Sequence, residues 1–216
     1  MIISTHAQRT PEWFQDRLGK ITGSRAKDVI ATIKNGEAAS RRDYRVQLVL
    51  ERLTGKPKEA GFLNEAMQRG IDKEPEARLA YQAITGDMVD EVGFITHASL
   101  MIGCSVDGLI EDPVAGLGFL EIKCPTSATQ LGYKLGPEVV PAEHMPQLLH
   151  NFLVIPEAQW CAFFSWDDRC PGKLARFLVT LSRANVEQQI MDYQDKLLQF
   201  LDEVAAMERQ CARLVL

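Results

Sequence analysis

Two opposite charges stand two residues apart in the apolar segment GFLEIKCP, residues 118–125. On a β-strand alternate side chains point to opposite faces, so Glu121 and Lys123 share one face. Such a pair is either a cross-strand ion pair on a solvated sheet face, or half of a reaction centre. In a reaction centre the acid would bind a cation, and the lysine would act on a proton or on phosphate charge.

A third charged residue, Asp107, lies in the preceding strand-like segment, SVDGLI. A Gly-rich turn separates this segment from Glu121, so the pattern predicts a hairpin that brings Asp107 and Glu121 together across neighbouring strands. Adjacent carboxylates repel each other unless a cation lies between them or one is protonated. Mg²⁺ prefers oxygen ligands, so these residues predict a divalent-metal site with Lys123 beside it.

The N-terminal part of the chain reads as helical. Thr10 followed by Pro11 is a typical helix start, and Ser24 is a second candidate N-cap. An amphipathic segment over 41–55 should end at Gly55. A further helical region is predicted from about Phe62 to Thr85, stopped by Gly86 and interrupted near Pro75.

The middle of the chain predicts a central sheet. Three strand-like runs, 88–96, 101–110 and 118–124, have the spacing of a meander. A helix over 142–155, strands over 158–166 and 174–182, and a long closing helix over 185–210 follow. The predicted fold class is α/β or α+β, a central mixed β-sheet flanked by helices, with an extra N-terminal helical region in a single domain, 1–216.

Composition excludes several classes of protein. With 46% hydrophobic and 25% charged residues the chain is ordinary for a globular domain, and it predicts neither a membrane span nor a secretory signal, so a cytoplasmic location is expected. A net charge of −5 gives no global attraction for nucleic acid, so any polyanion must be held locally. The five cysteines show no zinc spacing and are expected to be reduced: Cys104, Cys124, Cys161, Cys170 and Cys211.

An Asp on one strand followed by Glu-x-Lys on the next resembles the PD-(D/E)xK nuclease superfamily. Four further segments agree in order and approximate spacing with the phage lambda exonuclease and YqaJ-type viral recombinase family. They are WFQDRLGKITGS, RGIDKEPEAR, CSVDGLI and HMPQLLHNFLV, beside LEIKCP. The resemblance covers 13–166 and implies a restriction-endonuclease-like core.

The resemblance assigns a metal and catalytic set to this chain. Glu74 would be the acid carried by a helix, Asp107 the central metal ligand, and Glu121 the second ligand. Ile122 would contribute its backbone carbonyl, and Lys123 would be the catalytic lysine. The implied cofactor is Mg²⁺, with two ions expected and Mn²⁺ as a substitute.

The same resemblance assigns binding residues. Arg17 and Ser24 would bind the 5′-phosphate of a DNA end, a role that the arginine fork and a serine at a helix start also suit physically. Gln147 is a further site candidate. The chain departs from the family pattern at Gly23, where many relatives carry alanine, and at Leu149, where a second glutamine is expected. His150 could replace that glutamine, but a lone histidine on an apolar helix face is more often a core residue.

The implied activity is 5′→3′ exonuclease digestion of linear double-stranded DNA ends, which releases 5′-mononucleotides and leaves 3′ single-stranded overhangs. Implied partners are a ring-shaped homotrimer around DNA and a single-strand annealing protein, in a bacterial host cell with phage or prophage origin. Two alternatives stay open: a structure-specific or restriction-type endonuclease on the same core, and a non-catalytic DNA-end-binding module.

Overall fold

The structure, a computed structural model, describes residues 1–57 and 64–215. Its α-helices, in chain order, are α1 Pro11–Arg17, α2 Ala26–Val29, α3 Ala39–Thr54, α4 Glu65–Thr85, α5 Ser127–Leu135, α6 Met145–Val154 and α7 Arg183–Val215. Its strands are β1 Ile2–Ile3, β2 Ile21–Thr22, β3 Ile95–Thr96, β4 Ile102–Cys104, β5 Gly108–Asp112, β6 Gly116–Lys123, β7 Trp160–Trp166 and β8 Arg176–Ser182.

The strands form two sheets. The smaller has the order β1-β3-β4-β2, and the larger has the order β5-β6-β7-β8. In the larger sheet β5–β6 and β7–β8 are antiparallel while β6–β7 is parallel, so the sheet is mixed. The parallel step requires a crossover, which α5 and α6 provide. The predicted mixed α/β fold is confirmed.

Both faces of the larger sheet are covered. Leu120 and Ile122 on β6 pack in one buried cluster with Ala77 and Tyr81 of α4. Phe119, on the opposite face, packs with residues of α6 and α7 in the larger cluster. The odd-numbered face of β6, which carries Glu121, therefore looks towards α6 rather than towards solvent.

Several predicted elements are confirmed at their ends. The Thr10 side chain accepts a hydrogen bond from the Trp13 N–H at 3.3 Å and caps α1. Gly55 and Gly86 end α3 and α4 in the left-handed conformation, with φ of 65° and 83°. The predicted helix over 142–155 begins at Met145, since Pro146 is tolerated in a first helical turn.

Other predictions were wrong. Run 101–110 splits between β4 and β5 in different sheets, and 88–96 is a strand only at Ile95–Thr96, so the meander of three strands does not form. Helix α4 runs through Pro75 without restarting. The predicted start near Phe62 lies outside the described residues.

Ser24 does not cap a helix. It lies in a short 3-10 turn, Gly23–Arg25, and α2, which follows, has only 4 residues and no side-chain cap. The Ser24 hydroxyl instead lies 3.4 Å from that of Thr22. A phosphate at Ser24 would therefore be bound by side chains more than by a helix N-terminus.

Candidate active site

Asp107 lies beside β6, as the hairpin prediction required. It directly precedes β5, and its backbone N–H donates to the Leu120 carbonyl at 3.0 Å. Its carboxylate Oδ2 accepts from the Ile122 N–H at 2.5 Å. Because the N–H and C=O of one strand residue point to the same edge of a strand, the Ile122 carbonyl also faces the Asp107 side.

Glu121 is almost completely buried and is bound by three donors. Lys123 Nζ and Gln147 Nε2 donate to its Oε1 at 2.5 and 2.6 Å, and Asn151 Nδ2 donates to its Oε2 at 3.2 Å. Lys123 Nζ also donates to Gln147 Oε1 at 3.3 Å. The structure thus brings Glu121 and Lys123 into contact, and the predicted Gln147 is hydrogen-bonded to both of them.

Glu74 approaches from α4, where the Pro75 ring follows it. Arg9 and Arg78 each donate to one of its carboxylate oxygens, at 2.7 and 3.1 Å. Arg78 Nε also donates to the Asp107 carbonyl at 2.9 Å, which joins α4 to the start of β5. Glu74 and Asp107 line one cavity of about 390 Å³.

The charges of these acids act on one another. Burial, reinforced by the negative charges of Glu121 and Glu74, raises the pKa of Asp107 well above its ordinary value. Burial alone would lower the pKa of Lys123, but the Glu121 and Asp107 carboxylates raise it above the ordinary value, so the ammonium is held in its charged form. Among the described residues none forms an ion pair with Asp107.

The donor set suits a hard divalent cation. It offers carboxylate oxygens from Asp107, Glu121 and Glu74 and the backbone carbonyl of Ile122, which are oxygen ligands of the kind that Mg²⁺ prefers. The raised pKa of Asp107 reflects burial first and then the negative charges of Glu121 and Glu74, and a cation would offset both. Over residues 1–57 and 64–215 no group of three or more His, Cys, Asp or Glu side chains is close enough to hold an ion as it stands. Binding would therefore require Glu74 to turn from Arg9 and Arg78, the cationic side chains that it now contacts.

A second cavity of about 320 Å³ carries the predicted phosphate ligands. Arg17 and Ser24 line it, with Lys20 and Arg25. The Arg17 guanidinium stacks 4.0 Å from the Trp13 ring centroid, and burial lowers its pKa from the ordinary value. A cationic cavity of this kind suits a phosphate group.

The cavity is linked to the acidic residues through Ser105. Arg17 Nη1 and Trp13 Nε1 both donate to Ser105 Oγ, at 3.5 and 3.0 Å, and Ser105 is two residues before Asp107. A phosphate held by Arg17 would therefore lie near the hairpin that carries the carboxylates.

His150 and Leu149 pack in the core instead of bonding the acidic side chains of the site. His150 is fully buried, with Nε2 3.0 Å from the Gly103 carbonyl and Nδ1 2.8 Å from the Tyr193 hydroxyl. Since a carbonyl only accepts, Nε2 carries the proton. Leu149 is buried in the larger core cluster. His150 is thus a satisfied core residue, as the more common interpretation of a lone histidine predicted.

Sequence analysis missed several residues that contact this site: Arg9, Arg78, Ser105 and Asn151. Two were accessible to helix periodicity, because Arg78 follows Glu74 and Asn151 follows Gln147 by four residues and so shares the same helix face. Arg9 and Ser105 depend on tertiary approach and carried no signal in the sequence.

The fold and the site together define a nuclease of the PD-(D/E)xK type, in which a β-hairpin presents an Asp and a Glu-x-Lys beside a helix-borne Glu. The YqaJ-like viral recombinase domain matches residues 12–157 of the chain. The protein therefore belongs to the family of YqaJ-like viral recombinase domains.

Solved structures of exonucleases are similar to the chain. Two are of LHK-Exo, an alkaline exonuclease from Laribacter hongkongensis, one of them in complex with dAMP. Each is 36% identical, covers 95% of this chain and 100% of its own, and has a TM-score of 0.76. A phage-related exonuclease from Haemophilus somnus 129PT has 11% identity, covers 90% of this chain and 96% of its own, and has a TM-score of 0.64, which supports the fold alone. The comparison with curated proteins gave no match. No helix in the described part of the chain is long and apolar enough to cross a membrane.

Proposed function

We propose that this nuclease is a Mg²⁺-dependent 5′→3′ exonuclease that acts on the ends of linear double-stranded DNA and releases 5′-mononucleotides. One observation carries the proposal: the Asp107–Glu121–Lys123 cluster is linked through Ser105 to a cationic cavity lined by Arg17 and Ser24. A nuclease that cut within a duplex would have no need of a cavity that receives a terminal phosphate. That LHK-Exo was crystallised with dAMP, a 5′-mononucleotide, agrees with a product of this class.

Asp107, Glu121, the Ile122 carbonyl and Glu74 would hold up to two Mg²⁺ ions, for which Mn²⁺ can substitute. When bound, the ions supply positive charge that activates the attacking water and stabilises the leaving 3′-oxygen. Lys123, fixed 2.5 Å from Glu121, orients that water or stabilises the negative charge that develops on the phosphate. Gln147 holds Lys123 and Glu121 together.

Arg17 and Ser24 bind the 5′-phosphate and so set which strand is cut and in which direction. Digestion then leaves a 3′ single-stranded overhang, the substrate of a single-strand annealing protein in phage-type recombination. We further propose a ring-shaped homotrimer around the DNA, in the cytoplasm of a bacterial host. Concentrating basic side chains in such a channel would offset a net charge of −5; light scattering of the purified protein measures the subunit number.

Linear and closed circular duplexes of the same sequence test the proposal. The parent protein with Mg²⁺ should degrade the linear form and leave the circle intact, and it should be inactive in EDTA. The variant Asp107→Asn should be inactive on both while still binding linear DNA. Cleavage of the circle would indicate an endonuclease, and binding without any digestion would indicate an end-binding module.

A further inference from the structure

Helix α6 directs two amide side chains at one carboxylate. Gln147 and Asn151 are four residues apart on the same helix face, and each donates to a different oxygen of Glu121. Gln147 shares Oε1 with Lys123, whereas Oε2 receives its described hydrogen bond from Asn151 alone. The terminal torsion of a glutamate is broad, so a carboxylate held at one oxygen can still rotate, and one held at both cannot.

The orientation of the Asn151 amide is fixed by chemistry. An ionised carboxylate only accepts hydrogen bonds, so the NH₂ end must face Glu121 and Oδ1 must point away. Asn151 is fully buried, and its Oδ1 has no hydrogen-bond partner among residues 1–57 and 64–215. A buried amide with an unsatisfied oxygen is unfavourable for packing, and an apolar side chain of similar size would fill the site at less cost. The NH₂ donor to Glu121 is what the amide contributes.

Gly23 makes room for this side chain. A Cβ atom at position 23 would lie closer to Asn151 Oδ1 than the sum of their van der Waals radii and would also lie 3.5 Å from Gln147 Cγ. A larger residue at position 23 would therefore force Asn151 to shift from the position in which it donates to Glu121. Gly23 precedes Ser24, so the loop of the cationic cavity and the carboxylate of the metal site meet at one asparagine.

We propose that Asn151 is a positioning residue, which fixes the plane of the Glu121 carboxylate for cation binding and catalysis and which requires glycine at position 23. This inference rests on the proposed function, because Glu121 is taken as the metal ligand. It concerns the orientation of the ligand, and Asn151 itself touches neither substrate nor cation.

The test compares Asn151→Leu, Asn151→Ala, Gly23→Ala and the double variant Gly23→Ala/Asn151→Ala with the parent. Asn151→Leu should lower kcat about 10- to 100-fold, the usual effect of losing a partner that orients a metal ligand. It should leave KM for DNA within about twofold, and Tm should fall, because leucine leaves the buried Glu121 Oε2 without its described donor. Mn²⁺ affinity, measured by calorimetry without DNA, should fall about tenfold.

Gly23→Ala alone should lower kcat to a similar extent by displacing Asn151. In the double variant residue 151 has no side-chain oxygen for the new Cβ to displace, so the effects of Gly23→Ala and Asn151→Ala should not add, and kcat should lie within about threefold of that of Asn151→Ala. Gln130→Leu removes a fully buried amide that bonds Ser165 and the Leu174 carbonyl, and it serves as a control that should lower Tm but not kcat.

Parental kcat and Mn²⁺ affinity in Asn151→Leu would overturn the inference, as would a double variant at least about tenfold less active than Asn151→Ala. If Asn151→Leu does not fold, the comparison of the double variant with Asn151→Ala decides. An inactive parent would instead contradict the proposed nuclease activity, so the two failures are distinguishable.

Discussion

The environment of Asp107 lowers the stability of the folded protein. The Asp107 carboxylate is partly buried among like charges, which raises its pKa, and in the described part of the chain a single backbone N–H donates to it. Removing one charge from such a group relieves both desolvation and repulsion.

Asp107→Asn should therefore stabilise the metal-free protein while abolishing digestion. An amide oxygen can still accept from the Ile122 N–H, so we expect a gain of about 1 kcal/mol, or roughly 2–4 °C in Tm, measured in EDTA. In the parent, millimolar Mg²⁺ should raise Tm, since a ligand that binds only the folded state stabilises it, and in the variant it should not.

The control for this change is Asp43→Asn, at an exposed acid that pairs with Arg42 on α3. It should move Tm by less than about 1 °C, with or without Mg²⁺. A variant at Asp107 that is less stable than the parent in EDTA would contradict the view that this carboxylate is strained by its neighbours.

Arg17 carries the second prediction at this scale. Arg17→Ala removes the half-buried guanidinium that lines the cationic cavity, so the rate advantage of a 5′-phosphorylated duplex end over a 5′-hydroxyl end should fall at least about tenfold. Competition between the two duplexes measures the preference. The exposed Arg42, replaced by alanine, should keep the parental preference. A preference unchanged in Arg17→Ala would remove Arg17 from phosphate recognition.

At the scale of elements, α6 joins the site to the core. One face directs Gln147 and Asn151 at Glu121. His150, directly before Asn151, is hydrogen-bonded to the Gly103 carbonyl of the smaller sheet and to Tyr193 of α7. Burial lowers the pKa of His150 to about 4, so the ring is neutral in the folded protein.

His150 should make stability depend on pH. The unfolded chain takes up this proton below pH 6.5 and the folded chain only near 4, so the free energy of unfolding decreases as pH falls through that window. Between pH 7 and 5 this residue contributes a loss of about 2 kcal/mol. His150→Gln should remove most of that loss, measured by urea unfolding at both pH values.

His144 provides the internal control, because burial and the Lys123 charge lower its pKa to about 4 as well. The loss of stability that His144 causes between pH 7 and 5 should persist in His150→Gln. An identical pH dependence in parent and His150→Gln would contradict a neutral, buried imidazole.

Elements marked by a local sequence feature, such as a helix cap or a hydrophobic run, could be predicted from the sequence. The caps at Thr10, Gly55 and Gly86 and the hydrophobic run of β7 are local features, and they form as expected. The break of 101–110 into β4 and β5 could not be predicted, since it depends on which sheet each half joins. The close approach of Gly23, in the 3-10 turn Gly23–Arg25, to Asn151 of α6 is likewise a tertiary contact between residues distant in the sequence.

At the scale of the molecule, the site could be predicted better than the sheets around it. Asp107, Glu121 and Lys123 are linked by one hairpin, so their proximity follows from strand pairing alone. Glu74 and Gln147 were placed by resemblance, and the structure brings both to the same hairpin through α4 and α6. Arg9 and Arg78 pair with Glu74, and these ion pairs form only in the folded chain.

In the proposed exonuclease the direction of digestion would be set by the whole arrangement, in which the cavity of Arg17 and Ser24 is linked to the acid cluster through Ser105. The most direct test is digestion of a linear duplex labelled at one 5′ end or at one 3′ end, with Mg²⁺ and the parent protein. Our account predicts that the 5′ label is released first, as a mononucleotide, while the 3′ label stays in a long single strand. Early release of the 3′ label, or release of the 5′ label in oligonucleotides, would contradict it.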